Sequence, residues 1–311
     1  MYCLNPDSTD PFFNLAVEEL LLKNSREEYL ILYINSPSVI IGKHQTGHRE
    51  VDTRFVTENN IPVIRRISGG GTVYHDAGNL NFTFISQSES GRQIDFPRYT
   101  EPVIRFLQSI GVKAKFEGKN DLKVNGLKIS GNAEHIYRTR VLHHGTLLFS
   151  TSLSMLRNSI RKNTSCYSSR AVASNPSSVV NLKELIDYSD ISDFRSVMND
   201  YMIRNLELVP IVLPEEIKNN AAALAVSKYK TWEWNWGYGP EYTFENHFIL
   251  DNESQHCRLF VKDGLIVESS FEGSKNLKGI SSKLIGCRHM AEDISGIFRR
   301  EGIEIDIFNF F

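Results

Sequence analysis

The sequence predicts an α+β protein with one large and one small part, and three observations carry that prediction. The chain has 311 residues, 41% of them hydrophobic and 23% charged, a globular composition at a length beyond what one hydrophobic core usually supports. As far as residue 150, short apolar runs rich in Ile, Val and Tyr alternate with stretches of helical period. After the aromatic, glycine-rich stretch that starts at Trp232 a fresh β signal begins. We therefore expect a larger part over residues 1–242 and a smaller α+β part over 246–311.

The elements follow in order. Pro11, Phe13, Ala16, Val17 and Leu20 recur at spacings of three and four, which predicts an amphipathic helix over 11–24. The run YLILYINSPSVIIGKHQ reads as two strands broken at Ser36-Pro37. IPVIRRISGGGTVYHDAGNLNFTFIS reads as strand, glycine loop and strand, ending at Ser86. Val103, Ile104 and Leu107 place a helix around 97–110, and 112–150 alternates through four short strands with an Asn125-Gly126 hairpin turn. The serine-rich stretch Asn163 to Ser178 has no apolar period and predicts a mobile loop. Helices are expected near 181–187, 191–206 and 214–230. The tryptophan-rich segment reads as a connector, and CRLFVKDGLIVESSF, turning at Asp263-Gly264, leads into two final helices.

Composition excludes several function classes. Thirty-five Lys and Arg against 37 Asp and Glu leave a net charge of −2, which argues against bulk nucleic-acid binding and against a polybasic membrane surface. Cys3, Cys166, Cys257 and Cys287 lie far apart with no C-x-x-C pair, so neither a zinc site nor a disulfide framework is expected and a reducing compartment fits. The N-terminal region carries Asp7, Asp10, Glu18 and Glu19 with no basic segment before an apolar stretch. A cytoplasmic protein without nucleic-acid or membrane partners is the expectation.

Two constellations suggest chemistry. Arg65-Arg66-Ile67-Ser68-Gly69-Gly70-Gly71 follows a strand; consecutive glycines let backbone N–H groups approach a phosphate or carboxylate, and Arg66 and Ser68 share one strand face. The segment is neither a P-loop nor a dinucleotide fingerprint, and a tight β corner with solvated arginines would use the same residues. In the hairpin GKNDLKVNGLKISGNA, a two-residue turn pairs Val124 with Leu127, Lys123 with Lys128, Leu122 with Ile129 and Asp121 with Ser130. The apolar four then share one face, and Asp121, Lys123, Lys128 and Ser130 share the other. A carboxylate beside ammonium groups in a cleft suits phosphates and a metal, although a solvated polar face is the commoner fate of a hairpin. His143 and His144 must face opposite sides of a strand. Cys166 has no sequence-near base and reads as a bystander thiol. Trp232, Trp234 and Trp236 read as an interdomain packing seam.

These pieces assemble into a resemblance. DPFFNLAVEELL, RRISGGGTVYHDAGNLNFTF, NDLKVNGLKISGNA, HHGTLL, VVNLKEL and WEWNWGYGP occur in the order and approximate spacing of lipoate–protein ligases, from about residue 10 to 240. The resemblance implies a mixed sheet flanked by helices, like the catalytic fold of biotin–protein ligases and class II synthetases. It makes 1–242 a lipoate- and ATP-binding catalytic domain and 246–311 a small accessory domain. It implies activation of lipoate by Mg-ATP to lipoyl-AMP, then transfer to a lysine of lipoyl domains in 2-oxoacid dehydrogenase E2 subunits and in the glycine cleavage H protein. Arg66, Ser68, Gly69, Gly70, Gly71 and His75 match the motif around the lipoyl pocket and adenylate. Lys128 matches the lysine that contacts carboxylate and α-phosphate, and Asp121 the acidic position near phosphates and Mg2+. Ala133 and His144 match positions beside the lipoyl chain, Ser130 shares the hairpin face with Lys128, and the serine-rich loop resembles a flap over adenylate. His135 departs from the Arg or Gln expected there. Alternatives on the same fold are an octanoyl or lipoyl transferase that works from a thioester or from preformed lipoyl-AMP; a non-catalytic lipoate-binding scaffold is the alternative from another class.

Overall fold

The computed structural model describes residues 1–88 and 94–311. Strand β1 (Tyr2–Leu4) leads into α1 (Pro11–Asn24), where Asp10 caps the helix by accepting from the Phe12 and Phe13 N–H groups and Pro11 occupies the first turn. Then come β2 (Tyr29–Ile34), β3 (Ser38–Ile41), the short helices α2 (Gly47–Glu50) and α3 (Thr53–Glu58), β4 (Val63–Arg65), β5 (Val73–His75) and β6 (Asn79–Gln87). Helix α4 (Phe96–Ser109) precedes β7 (Lys115–Glu117), β8 (Asp121–Val124), β9 (Leu127–Tyr137) and β10 (Arg140–Leu148). Next are α5 (Leu153–Ser159), β11 (Tyr167–Ser169), α6 (Ile191–Leu206), β12 (Val209–Ile211) and α7 (Glu215–Leu224). The chain ends in β13 (Tyr242–Leu250), β14 (Glu253–Lys262), β15 (Leu265–Glu272), α8 (Lys275–Leu284) and α9 (Ala291–Arg300).

The expected α+β class and mixed sheet are what the chain forms. Eight strands order as β12-β1-β2-β6-β10-β9-β8-β7, with β1 parallel to both its neighbours and the other pairs antiparallel. Both faces of this sheet are covered, and period two decides which side chains go where. Leu30, Leu32, Phe82 and Phe84 pack toward Phe106 of α4 and Phe194 and Met198 of α6. Ile31, Tyr33, Ile85 and Leu142 pack toward α1 and toward Ala221 of α7. Each buried Leu or Phe contributes about 1.5–3 kcal/mol relative to exposure. A second sheet, β4-β3-β5, holds the glycine loop between β4 and β5. A third, β11-β13-β14-β15, packs on α8 and α9 around Phe244, Leu259 and Phe298.

Several local expectations need correcting. Residues 163–178, expected as a mobile loop, include one strand: Tyr167–Ser169 forms β11, pairs antiparallel with β13 and buries Tyr167, while 170–178 carries no helix or strand. A strand edge and an aromatic anchor hold this segment although it has no apolar period of its own. The tryptophan-rich connector is helical, since α7 continues as π-helix over Ala225–Tyr229 and another π-helical turn spans Glu233–Gly237. Trp236 stacks on His48 at 4.3 Å, and Trp232 lies against Gly264 with the Arg288 guanidinium 4.7 Å above its ring. Trp234 instead donates its indole N–H to the Arg65 carbonyl at 2.7 Å. Of the four strands within 112–150, β9 and β10 are long rather than short. Strands β1 and β12 are too short for a periodic signal. Tyr242, Phe244 and Phe248 do alternate inward, so β13 carried a signal that the reading of a connector hides. Among the described residues no helix is long and apolar enough to cross a membrane.

Candidate functional site

The glycine loop is built from the inside by two buried arginines. Arg65 and Arg66 are not the solvated charges the sequence allowed. Arg65 is fully buried and donates to the carbonyls of Gly42, Lys43, Gln45, Trp234 and Asn235. Arg66 donates to the carbonyls of Ile40, Gly69 and Gly71 and to the Ser68 hydroxyl. Burial lowers both guanidinium groups to about 10, and both stay charged at neutral pH. Gly70 sits at φ +84°, and its carbonyl approaches Gly42 so closely that a Cβ there would lie 2.2 Å away.

Behind this loop runs a buried polar chain. Ser68 accepts from Arg66 at 2.9 Å, so its own hydroxyl proton is available to His144 Nε2 at 2.6 Å. His144 Nδ1 then donates to Glu18 at 3.1 Å. Glu18 also accepts from the Tyr33 hydroxyl at 2.8 Å and from Thr83. Burial works to raise the Glu18 carboxyl, but His144 and the two hydroxyls outweigh it and hold it below the ordinary range. Ser68 itself is fully buried, lies outside the cavity wall and reaches the cavity only through its hydrogen bond to His144. Glu18 and Tyr33 are residues the sequence reading misses. The only sequence signal for Glu18 is its place in an acidic pair on a largely apolar helix.

The hairpin carries its turn as expected, with Asn125 at φ +51° and Gly126 at +78°. Val124 pairs with Leu127 and Lys123 with Lys128, but the register then shifts, so that Leu122 faces Ser130 and Asp121 faces Gly131. Ile129 is the extra residue of a β-bulge. The shift removes Ser130 from the polar face: it is fully buried, accepts from Asn132 at 3.3 Å, and does not line the cavity. Leu127 is exposed rather than packed. Lys128 Nζ meets Asp121 Oδ1 at 2.8 Å, and Lys123 turns away toward Glu117. A Cβ at Gly131 would come within 3.1 Å of the Lys128 ammonium, so that glycine leaves room for the lysine.

The serine-rich segment closes onto the glycine loop through a polar latch. Ser174 Oγ donates to the buried Glu50 carboxylate and accepts from the Thr72 N–H at 2.9 Å and from Gln45 at 3.1 Å. Further along, the Lys128 N–H donates to the Ser178 carbonyl at 2.9 Å, and the Lys128 carbonyl accepts from Val180 at 3.0 Å. Glu50 and Gln45 are likewise invisible to motif reading.

All of this surrounds one cavity of about 760 Å3. Arg66, Gly69, Gly70, Gly71, His75, Asp121, Lys128, Ala133 and His144 line it together, with Ala173, Ser174 and Asn175 as a roof. The cavity crosses the α1 side of the large sheet, from Asp121 on β8 and Lys128 on β9 past His144 on β10 and Asn81 on β6 to Tyr33 on β2. His143 faces the other side, bonded to Glu134 at 2.9 Å. His135 does not line the cavity; burial, with Lys43 and Lys23 nearby, lowers it to about 4. Cys166 is outside the wall too, near Asn246. Among the described residues no three His, Cys, Asp or Glu side chains converge as a metal site. The single carboxylate of Asp121 fits a magnesium ion only if phosphate oxygens complete the shell.

The cavity brings the Lys128 ammonium, the Asp121 carboxylate and the glycine loop together with apolar Leu15, Ile40, Val73 and Ala133, an arrangement that can hold an acid with a long apolar tail. Comparison with known proteins agrees. The family described as "Lipoyl protein ligase A/B catalytic domain" matches residues 10–203. The chain is 36% identical to lipoate–protein ligase 1 of Staphylococcus aureus, over 99% of this chain and 94% of that protein. Two solved structures superpose with a TM-score of 0.65 at 26% identity, each covering 76% of this chain. One is a bipartite lipoate protein ligase from Thermoplasma acidophilum, described with its E2 lipoyl domain, and 96% of that chain is matched. The other is a lipoate–protein ligase A bound with ATP, of which 98% is matched.

Proposed function

The chain belongs to the lipoate–protein ligase family, and we propose that it activates lipoate with ATP to lipoyl-AMP and transfers the lipoyl group to a lysine of lipoyl domains. The observation that carries this reading is the cavity that the Lys128–Asp121 pair and the glycine loop share with His144 and the apolar residues Leu15, Ile40 and Ala133. In the first step a lipoate carboxylate oxygen bonds to the α-phosphorus of ATP and pyrophosphate leaves. Two anions approach, so Lys128 and the N–H groups of Gly69 to Gly71 offset their repulsion. Arg66 braces the loop carbonyls and keeps those groups aimed. Magnesium, bound by Asp121 through the phosphates, would supply further charge neutralisation. In the second step the acceptor ε-amine attacks the acyl carbon, the C–O bond to AMP breaks, and the amine loses a proton. Ala133 and His144 flank the acyl chain.

Among the described residues the cavity wall contains no cysteine, which supports the adenylate route over a thioester transferase. We further assign residues 1–242 as the catalytic domain and 246–311 as an accessory domain, E2 lipoyl domains and the glycine cleavage H protein as acceptors, and the cytoplasm as the compartment. Incubation with an apo lipoyl domain, lipoate and Mg-ATP should add one lipoyl mass, and lipoate should drive exchange of pyrophosphate into ATP. Modification that occurs only from an acyl-carrier thioester would overturn the ligase reading.

A further inference from the structure

One cavity-lining group has an unused hydrogen-bond donor, and a chain of buried amides shows why it is a donor. Asn14 Nδ2 donates to the Ser8 carbonyl at 2.9 Å, a group that can only accept, and to Asn35 Oδ1 at 2.8 Å. The Asn35 oxygen is thereby turned toward Asn14, so its Nδ2 faces His75 Nδ1 at 3.0 Å and donates to it. An Nδ1 that accepts puts the ring proton on Nε2. His75 is only 4% exposed and lines the cavity, yet among the described residues its Nε2 has no hydrogen-bond partner. Burial, with Arg66 and His144 nearby, lowers His75 to about 3, so the ring is neutral at working pH. A buried N–H left unpaired is costly, which makes the ligand its natural partner.

The position of His75 says which part of the ligand that is. His75 is on β5, opposite Ser38 of β3, and borders the end of the cavity formed by Leu15, Tyr33 and Ile40. Lys128 is on β9, separated from the Tyr33 strand by β10 and β6, or about 14 Å at ordinary strand spacing. A carboxylate held at Lys128 sends its methylene chain toward His75 and brings its far terminus there. We propose that the Nε2–H of His75 reads a ring sulfur of the dithiolane and so selects lipoate over the plain octanoyl chain. The identity of the acyl group rests on the ligase reading above. A disulfide sulfur is a weak acceptor, whereas a methylene leaves the donor unpaired, and a site built around a hydrogen bond rejects the analogue lacking it. Because the acceptor is weak, the preference should be about five- to tenfold rather than the thousands reached by hydroxyl-reading sites.

The test is equilibrium binding of lipoate and of octanoate, by calorimetry without ATP, to the wild-type chain, His75→Phe and His75→Gln. Tautomer-sensitive NMR of 15N-histidine-labelled wild type accompanies it. We expect the lipoate preference to vanish in His75→Phe and to survive in part in His75→Gln, which can still present an N–H. We also expect an Nε2–H signal that lipoate shifts and octanoate does not. An unchanged preference in His75→Phe, a proton on Nδ1, or identical responses to the two acids would overturn the proposal. If His75→Phe does not fold, the wild-type tautomer and its ligand response decide alone. Absence of pyrophosphate exchange alongside a selective, His75-dependent lipoate affinity would count against the ligase reading and leave this inference standing.

Discussion

Lys128 and Asp121 face one another at 2.8 Å because a bulge at Ile129 brings Asp121 opposite Gly131 instead of Ser130. The glycine leaves space for the lysine stem, and Lys123, two residues from Asp121, is turned to Glu117. One inserted residue thus sets what faces Asp121, and of the two hairpin lysines Lys128 lines the cavity.

From this geometry Lys128→Ala should lower lipoate-dependent pyrophosphate exchange by a thousandfold or so, about 4 kcal/mol of transition-state stabilisation. Lys128→Arg should do nearly the same harm, since a broad planar head replaces a point charge where Gly131 leaves little room. Lys123→Ala should be mild. Transfer from synthetic lipoyl-AMP should also slow in Lys128→Ala, and normal exchange in a folded Lys128→Ala protein would refute the assignment.

Glu50 and Ser174 latch the roof to the glycine loop. Glu50→Gln should keep the volume but weaken a charge-assisted bond worth about 1.5–3 kcal/mol. The expected result is a rise of about tenfold in the KM for ATP, together with faster proteolysis near residue 170. An unchanged KM with unchanged proteolysis would show that the latch does not govern closure.

Cys166 lies outside the cavity wall. Cys166→Ser should therefore retain most ligase activity, measured as lipoyl mass added to an apo domain. Loss of a thousandfold would instead mark the thiol as a nucleophile.

Acid should destabilise the protein before its carboxylates titrate. His289 is buried, accepts from the Tyr242 hydroxyl at 2.6 Å and donates to the Phe310 carbonyl at 2.7 Å; burial lowers it to about 4. Its unfolded value is about 6.5, so between these two values the unfolded chain binds a proton that the folded one does not. Stability must fall as pH drops from 6.5 toward 4, by up to about 1.4 kcal/mol per pH unit for this group. His289→Gln should be less stable at neutral pH and show a shallower slope across that window. Denaturant unfolding at several pH values checks it, and an unchanged slope would rule out His289 as a source.

Some elements of the fold are legible in the chain because local rules govern them. Asp10-Pro11 starts α1, Asn125-Gly126 turns the hairpin, and the alternation of β2 sends Leu30 and Leu32 to one face and Ile31 and Tyr33 to the other. Each depends on neighbours within a few residues, and the ordered motifs that brought Arg66, Asp121, Lys128 and His144 to notice are local too. Tertiary structure alone decided what depends on partners far along the chain. The bulge that buries Ser130 is a register choice between strands, and the order of a period-free segment depends on β13 accepting β11. Glu18 becomes part of the site because Ser68, over the glycine loop, aligns His144 toward it. His75 becomes a donor because Asn14 fixes Asn35. Proton positions in a buried network follow from its far end, where a backbone carbonyl can only accept, and sequence spacing carries no trace of that constraint.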